Sequence, residues 1–450
     1  MIPALAFDRS LVTVRNDEVI HALLELTAPT PADASRAPLD VVLVIDRSGS
    51  MSGRPLRSVV DACAALLRLA GPDDRIAVVT FDSSVDDVLP LAHHDAEVAG
   101  RTIRAIRPGG STNLSGGWLR AAELLGSSHR PGAVRRIVLL TDGHANNGVT
   151  DPDRLATMVS AGTADEITSS FIGFADGHDE TLLSALADAG RGNDYWCADS
   201  DAAAAVFAGE FEGLATVVAQ NLSVTITANE RVAAVRVLND LPTTVGTDGA
   251  VRVSLGDAYA GETRRMVAAL HLRPLPDHAE FDVASLDVRW TSVIGPTAQQ
   301  SVPLPVRITA APAEQVRDAV ADPRVMEQLG VLRAAELERA ARLAADRGEF
   351  DDAARMLREG AERLRFIGRP DLAADLETSA VELSRGTWDL MASKRLHGRA
   401  REKSRGRRST FETSWDPMSG QSGPGSGGPS SGPGITPPPT DPGPLGSDPA

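Results

Sequence analysis

From Leu39 to about Ala219 the chain alternates short, continuously apolar runs with helix-patterned segments, and this alternation leaves few folds open. VVLVI (41–45), RIAVVTF (75–81), DDVLPLA (86–92), RRIVLLT (135–141), EITSSFIGF (166–174) and DYWCA (194–198) read as strands. Between them Pro55–Ala70, Glu97–Ile106, Leu114–Leu125, Pro152–Ala161, Glu180–Ala189 and Ala202–Ala219 carry helical patterns, the first with proline near its first turn. Strands without a polar face need helices on both sides. The region therefore predicts an α/β doubly wound parallel sheet.

The flanks obey a different period. LVTV (11–14) and VIHALLELTA (19–28) read as strands, and NLSVTITA, AAVRVLN, AVRVSLG, ETRRMVAALHLRPL, FDVASLDVRW and QSVPLPVRITA follow after residue 220, with turn signals between them. These suit an antiparallel β-sandwich. The N-terminal pair needs a partner sheet, so the α/β domain (36–220) is expected to be inserted into a sandwich built from 1–35 and 221–311. Residues 312–408 are rich in Ala, Leu, Arg and Glu, with two helices joined at Arg347–Phe350. Their A-x-x-x-G-E-F-x-x-A pattern resembles one tetratricopeptide-like hairpin. One hairpin is too few for a solenoid, so a small helical bundle is expected. Gly, Pro and Ser dominate 409–450, which reads as a disordered tail.

The formal net charge of -16 disfavours a general nucleic-acid or membrane-surface role, which wants a basic face. One segment runs against this balance: KRLHGRAREKSRGRR (394–408) reads as a solvated basic linker, with an anionic partner as the other reading. Cys63 and Cys197 give neither a disulfide framework nor zinc spacing, which suits a reducing cytoplasm. Cys63 falls on an apolar helix face and Cys197 in a strand, so both are expected in the core. The N-terminus lacks a basic segment followed by an apolar core, and no stretch of ~18 apolar residues predicts a transmembrane helix.

In an open parallel sheet, ligands bind beyond the carboxyl ends of the strands. LDVVLVIDRSGSMSG (39–53) ends a buried strand at Asp46 and then spaces Ser48 and Ser50 so that their side chains can converge. GGSTNLSGG (109–117) sets Thr112 ahead of a helix, and LLTDGHANNG (139–148) ends a strand at Thr141–Asp142. Asp46, Ser48, Ser50, Thr112 and Asp142 thus share one sheet edge, and their hard oxygens suit Mg²⁺ or Mn²⁺. The plain alternatives are a capped turn for Asp46 and the serines, a helix N-cap for Thr112, and a simple turn start for Asp142.

D-x-S-x-S, then a threonine in a glycine-rich loop, then T-D-G resembles the metal-ion-dependent adhesion site of von Willebrand factor type A domains. All five positions match in order, within some 180 residues of compatible alternation. The flanking regions resemble, more loosely, bacterial intracellular members with accessory segments. The resemblance implies that Ser48 and Ser50 ligate the ion directly and that Thr112 does so when a partner is bound. It implies that Asp46 and Asp142 act through water or as close anions, and that a partner's acidic residue takes the remaining position.

The function expected is therefore metal-dependent protein binding by a cytoplasmic scaffold or assembly factor. A surface adhesin and a metal-dependent enzyme are the alternatives. Neither a second aspartate at position 48, nor G-x-S-x-G, nor a Walker sequence is present to support catalysis. His93 and His94 are expected in solvent. His144 reads as a loop residue or a determinant of partner choice, and Trp118 as packing or a partner contact.

Overall fold

A computed structural model describes residues 1–31, 36–174, 178–197, 200–276, 278–405 and 407–408. The expected disordered tail, 409–450, lies outside them.

The chain opens in a sandwich with β1 (Ile2–Phe7), β2 (Leu11–Thr13) and β3 (Glu18–Thr27). It then leaves to build a six-stranded sheet from β4 (Leu39–Asp46), β5 (Arg75–Phe81), β6 (Val85–Ala92), β7 (Val134–Thr141), β8 (Ile167–Phe174) and β9 (Arg191–Cys197), in the order β6-β5-β4-β7-β8-β9. Side chains alternate across β4. Leu39, Val41, Leu43 and Ile45 enter one core with Leu56, Val59 and Cys63 of α1 (Arg54–Leu66) and Phe211 of α6 (Ser200–Ala215). Val42 and Val44 enter the other with Leu114 and Trp118 of α3 (Leu114–Ser127), Leu155 of α4 (Pro152–Gly162) and Leu183 of α5 (Glu180–Ala189). Burial on both faces is why these strands lack a polar alternation. Helix α2 (Ala96–Arg104) packs beside α1.

One strand departs from the parallel expectation: β6 pairs β5 antiparallel. Only Asp82, Ser83 and Ser84 separate the two, too few residues for a crossover helix. With two aspartates and Pro90, β6 has the composition of an edge strand. The helix expected over 202–219 is also shorter, ending at Ala215. From Val217 the chain enters β10 (Val217–Ala228), where Val217–Ala219 are buried against Tyr259 and Ser292.

Back in the sandwich follow β11 (Val232–Val237), β12 (Thr243–Val245), β13 (Val251–Tyr259), β14 (Thr263–Leu272), β15 (Glu280–Ser292) and β16 (Ala298–Ala311). One sheet runs β1-β3-β14-β11 and the other β12-β13-β10-β15-β16-β2. Strand β3 pairs β14 from Thr27↔Thr263 to Glu18↔Leu272, so the N-terminal strands complete the sandwich across the inserted domain. Leu24, Leu26, Met266 and Leu270 of one sheet meet Val224, Ile226, Leu286 and Val288 of the other.

The C-terminal region holds α7 (Ala313–Arg317), α8 (Pro323–Asp346), α9 (Phe350–Phe366), α10 (Pro370–Ser384) and α11 (Leu390–Arg405). Gly348 turns α8 into α9 at φ 82°, a left-handed conformation that favours glycine. Val325 and Leu332 of α8 cover Leu23 and Val267 on the outer face of the β1–β11 sheet. A two-residue strand, β17 (Arg407–Arg408), adds to β14.

The basic run is no solvated linker. Lys394, Arg401 and Arg405 are buried, and α11 docks on α5 and β9 through ion pairs with Glu180, Asp188 and Asp194. Among the described residues no helix is long and apolar enough to cross a membrane.

Candidate metal centre

Strands β4 and β7 run parallel and end side by side, which sets Asp46 next to Thr141–Asp142. Asp46 is fully buried. Its Oδ1 accepts the Ser48 N–H at 2.7 Å, folding the chain back, and its Oδ2 accepts the Thr141 hydroxyl at 2.6 Å. A short 3-10 turn, Gly49–Met51, leads toward α1. The turn brings Ser48 Oγ within 3.1 Å of Ser50 Oγ, and Ser50 donates to Asp142 Oδ1 at 2.7 Å.

The threonine loop is tied to this turn. Gly49 N–H donates to Gly110 O at 2.9 Å, and Gly109 N–H to Arg47 O at 2.6 Å. Gly109 has no room for a side chain, since a Cβ there would lie 1.7 Å from Asp82 Oδ2. A Cβ on Gly143 would lie 3.6 Å from Thr112 Oγ1 and 3.7 Å from Ser50 Oγ, so both hydroxyls face the same point. The structure thus brings all five sequence-derived residues to one cluster.

The plain alternatives are answered in part. Asp46 does cap its own turn. Thr112 does not cap α3: Asn113 does, accepting the Gly116 N–H at 3.0 Å, and the Thr112 hydroxyl makes no hydrogen bond among the described residues. The T-D-G turn is held by Thr141, which accepts the Gly143 N–H at 3.2 Å, and not by Asp142. Two contributors were missed from sequence, Thr141 and Asn146. The first sits in the T-D-G signature itself. The second has no motif; its Oδ1 accepts the Thr112 N–H at 2.7 Å.

Electrostatically the cluster is unbalanced. Burial pushes the Asp46 carboxyl up to about 6, and the nearby Asp142 charge adds to the rise against hydrogen bonds from Thr141 and Ser48. Burial also raises Asp142, against the Ser50 hydrogen bond. Neither carboxylate has a basic partner among the described residues.

The remaining candidates have structural roles or stand at the rim. Trp118 is buried and donates to Ser169 Oγ at 3.0 Å. Cys63 and Cys197 are both buried. His93 is exposed, as expected, but His94 is half-buried, with Nε2 2.8 Å from Ile76 O. His144 is exposed at the rim, 3.8 Å from Asp179 Oδ2.

A doubly wound sheet that gathers two aspartates and the hydroxyls of Ser48, Ser50, Thr112 and Thr141 at its carboxyl edge defines an α/β domain with a candidate cation site at that edge. Residues 40–209 match the model of the von Willebrand factor type A domain, and 323–405 that of the Sll0103-like, C-terminal alpha-helical domain. The chain thus carries a von Willebrand factor type A domain and, C-terminal to it, a helical domain of the Sll0103-like kind. It is 27% identical over 362 residues to the uncharacterized protein sll0103 of Synechocystis sp., covering 78% of this chain and 84% of that one. It is 29% identical over 321 residues to the E3 ubiquitin-protein ligase WAV3 of Arabidopsis thaliana, covering 66% of this chain but only 41% of that protein. A solved von Willebrand factor type A structure from Catenulispora acidiphila superposes with a TM-score of 0.73 at 16% identity, covering 90% of this chain and 97% of that one.

Proposed function

We propose that the inserted domain is a metal-dependent protein-binding module. Asp46, Ser48, Ser50, Thr112 and Asp142 hold one Mg²⁺ or Mn²⁺, and a protein partner contributes an acidic side chain. The observation that carries this reading is the pair of buried carboxylates, without a basic partner among the described residues and surrounded by the hydroxyls of Ser48, Ser50, Thr112 and Thr141. A buried charge without a partner is costly, and a hard divalent cation is the species that oxygen donors of this kind accommodate. Neutral hydroxyls leave a bound ion electrophilic, so it anchors a carboxylate from outside. The chain's own residues then set the partner: the 47–53 turn, the 109–112 loop and the 143–148 loop, with His144, form the rim.

The reading is one of binding rather than turnover, in an intracellular scaffold or assembly factor; two buried thiols suit a reducing cytoplasm. Calorimetric titration with Mn²⁺ tests the site. Asp142→Ala should fold and lose the ion, and unchanged affinity would sink the assignment. An affinity pull-down in Mg²⁺, with and without EDTA, should recover the partner only with the ion present. A screen for turnover in Mg²⁺ separates this reading from an enzyme.

A further inference from the structure

We infer that Asn146 is the positioning residue of the centre. It acts by clamping the backbone of Thr112, and the inference rests on the metal reading above. Thr112 lies outside any helix or strand, just before α3, and is 2% exposed. Such a residue would ordinarily have two soft backbone dihedrals, and its hydroxyl would sweep with them. Here both of its peptide groups are held by one short segment. Its N–H donates to Asn146 Oδ1 at 2.7 Å, and its C=O accepts the N–H groups of Asn146 and Asn147, each at 3.2 Å.

The two loops are joined beyond this point. Asn147 Nδ2 donates to Ser111 Oγ at 3.2 Å, and Val149 N–H to Ser115 Oγ at 2.9 Å. Gly148, at φ 71°, packs where a Cβ would lie 2.2 Å from Asn113 Oδ1. The loop that carries Asp142 and the loop that carries Thr112 are therefore tied together along 111–115 and 146–149.

The division of labour follows from these contacts. The Thr112 hydroxyl makes no hydrogen bond among the described residues, whereas its main chain is fully engaged. The Asn146 side chain reaches from an exposed position and spends its carbonyl oxygen on a buried N–H. Removing that oxygen orphans the N–H and frees the dihedrals that aim the hydroxyl. Outer groups that orient metal ligands typically change metal affinity about 10–100-fold when lost. The same scale is expected here.

A double-mutant cycle tests the clamp on the full chain, with Mn²⁺ as the probe. Asn146→Leu, close in volume but without the acceptor, should weaken Mn²⁺ roughly tenfold while the melting temperature stays near that of the wild type. Thr112→Val, which removes a hydroxyl that holds the ion directly or, without a partner, through water, should weaken it comparably. In the double variant Asn146→Leu should add nothing, because its effect passes through the Thr112 hydroxyl. Multiplying effects, or an Asn146→Leu affinity equal to wild type, would overturn the inference. Amide hydrogen exchange of the metal-free protein gives an independent readout: the Thr112 N–H should exchange faster in Asn146→Leu. If the wild type binds no Mn²⁺, or Asp46→Asn binds it as well, the metal reading falls. Exchange then decides the clamp alone, and unchanged protection at Thr112 refutes it.

Discussion

Two groups of aspartates in the inserted domain, one buried and one half-buried under α11, have environments that push them in opposite directions. Asp46 and Asp142 sit at the carboxyl edge of the sheet among hydroxyls, with carboxyls raised by burial. Asp194, in β9, lies under α11 beside Asp188. Arg401 Nε bridges both Asp194 oxygens at 2.9 and 3.0 Å, while Arg401 Nη2 reaches Asp188 at 2.8 Å. Arg405 contacts both aspartates, and Ser184 donates to Asp194 at 2.6 Å. Burial alone would raise Asp194, but the charges of Arg401 and Arg405 and these hydrogen bonds hold its carboxyl well below the usual range. The chain supplies the cation for one cluster and leaves the other without one. On the proposed reading the missing counter-charge is left for a bound ion, whereas the supplied ones fasten α11 to the α/β domain.

Removing the supplied cation should have the largest effect. Arg401→Met leaves the half-buried Asp194 and Asp188 with Arg405, and the cost of breaking a fully buried pair, about 3–5 kcal/mol, is the upper bound on the loss. Urea denaturation should register that loss. Limited proteolysis should cut near α11, because Lys394 and Arg401 are two of its main attachments to the α/β domain. An unchanged midpoint would mean that the ion pairs to Asp188 and Asp194 contribute little and that α11 is held mainly by its packing on α8.

The converse change at the other cluster should have the opposite sign. Asp46→Asn removes an unpaired buried charge, so the metal-free protein should gain stability. Two pKa units, the distance from about 3.8 to about 6, correspond to about 3 kcal/mol, which bounds the gain. The same variant should lose stabilisation by Mg²⁺, which for the wild type is about 2.7 kcal/mol at one hundred times Kd. Differential scanning in EDTA and in Mg²⁺ gives both numbers. A variant that is destabilised in EDTA would show that Asp46 matters for its hydrogen bonds to Ser48 and Thr141 more than for its charge.

The first cluster was legible in the sequence and the second was not. Asp46, Ser48 and Ser50 are local, and a buried run ending in an acid announces a strand end. Thr112 and Asp142 follow at the ends of their own recognisable segments. By contrast, KRLHGRAREKSRGRR has the same composition whether solvated or docked. Its partners lie some two hundred residues upstream, on an α5 and β9 whose acids look like ordinary surface residues. Asn146 was hidden for a similar reason, since a side chain that holds a distant backbone N–H leaves no local pattern. The antiparallel β6 needed only attention to its three-residue turn and to Pro90.

Acidification should separate the clusters further. Asp46 has a folded value of about 6, above its unfolded one, so its cost is fully present above pH 6 and disappears as pH falls toward 4. Asp194 is depressed, so its contribution is fully present above the unfolded value near 4 and is lost as pH falls below it. Without metal, stability should therefore rise from pH 7 to about 5 and fall sharply below 4. Metal requires the ionised carboxyl, so each pH unit below 6 should weaken Mn²⁺ by about tenfold. Titrations at pH 7.5 and 5 measure this directly, and a pH-independent affinity would exclude Asp46 from the metal's surroundings.

The smallest effect is expected from a carboxylate at the same edge that has a cation but no burial. Arg47, which follows Asp46, contacts Asp86 at 2.6 Å and Asp82 at 3.2 Å. The Asp86 side chain is 54% exposed, so water already solvates it and salt screens its attraction to Arg47. Exposed pairs of this kind contribute about 0–1 kcal/mol, and Asp86→Ala should fall in that range and shrink further in 1 M NaCl. Mn²⁺ affinity should not change, because Asp82 retains its hold on Arg47 and, through Gly110 N–H, on the threonine loop. A large effect on either readout would mean that pairing, rather than burial, governs the carboxylates along this edge. The contrast between Asp46 and Asp194 would then have to be explained by geometry instead of by desolvation.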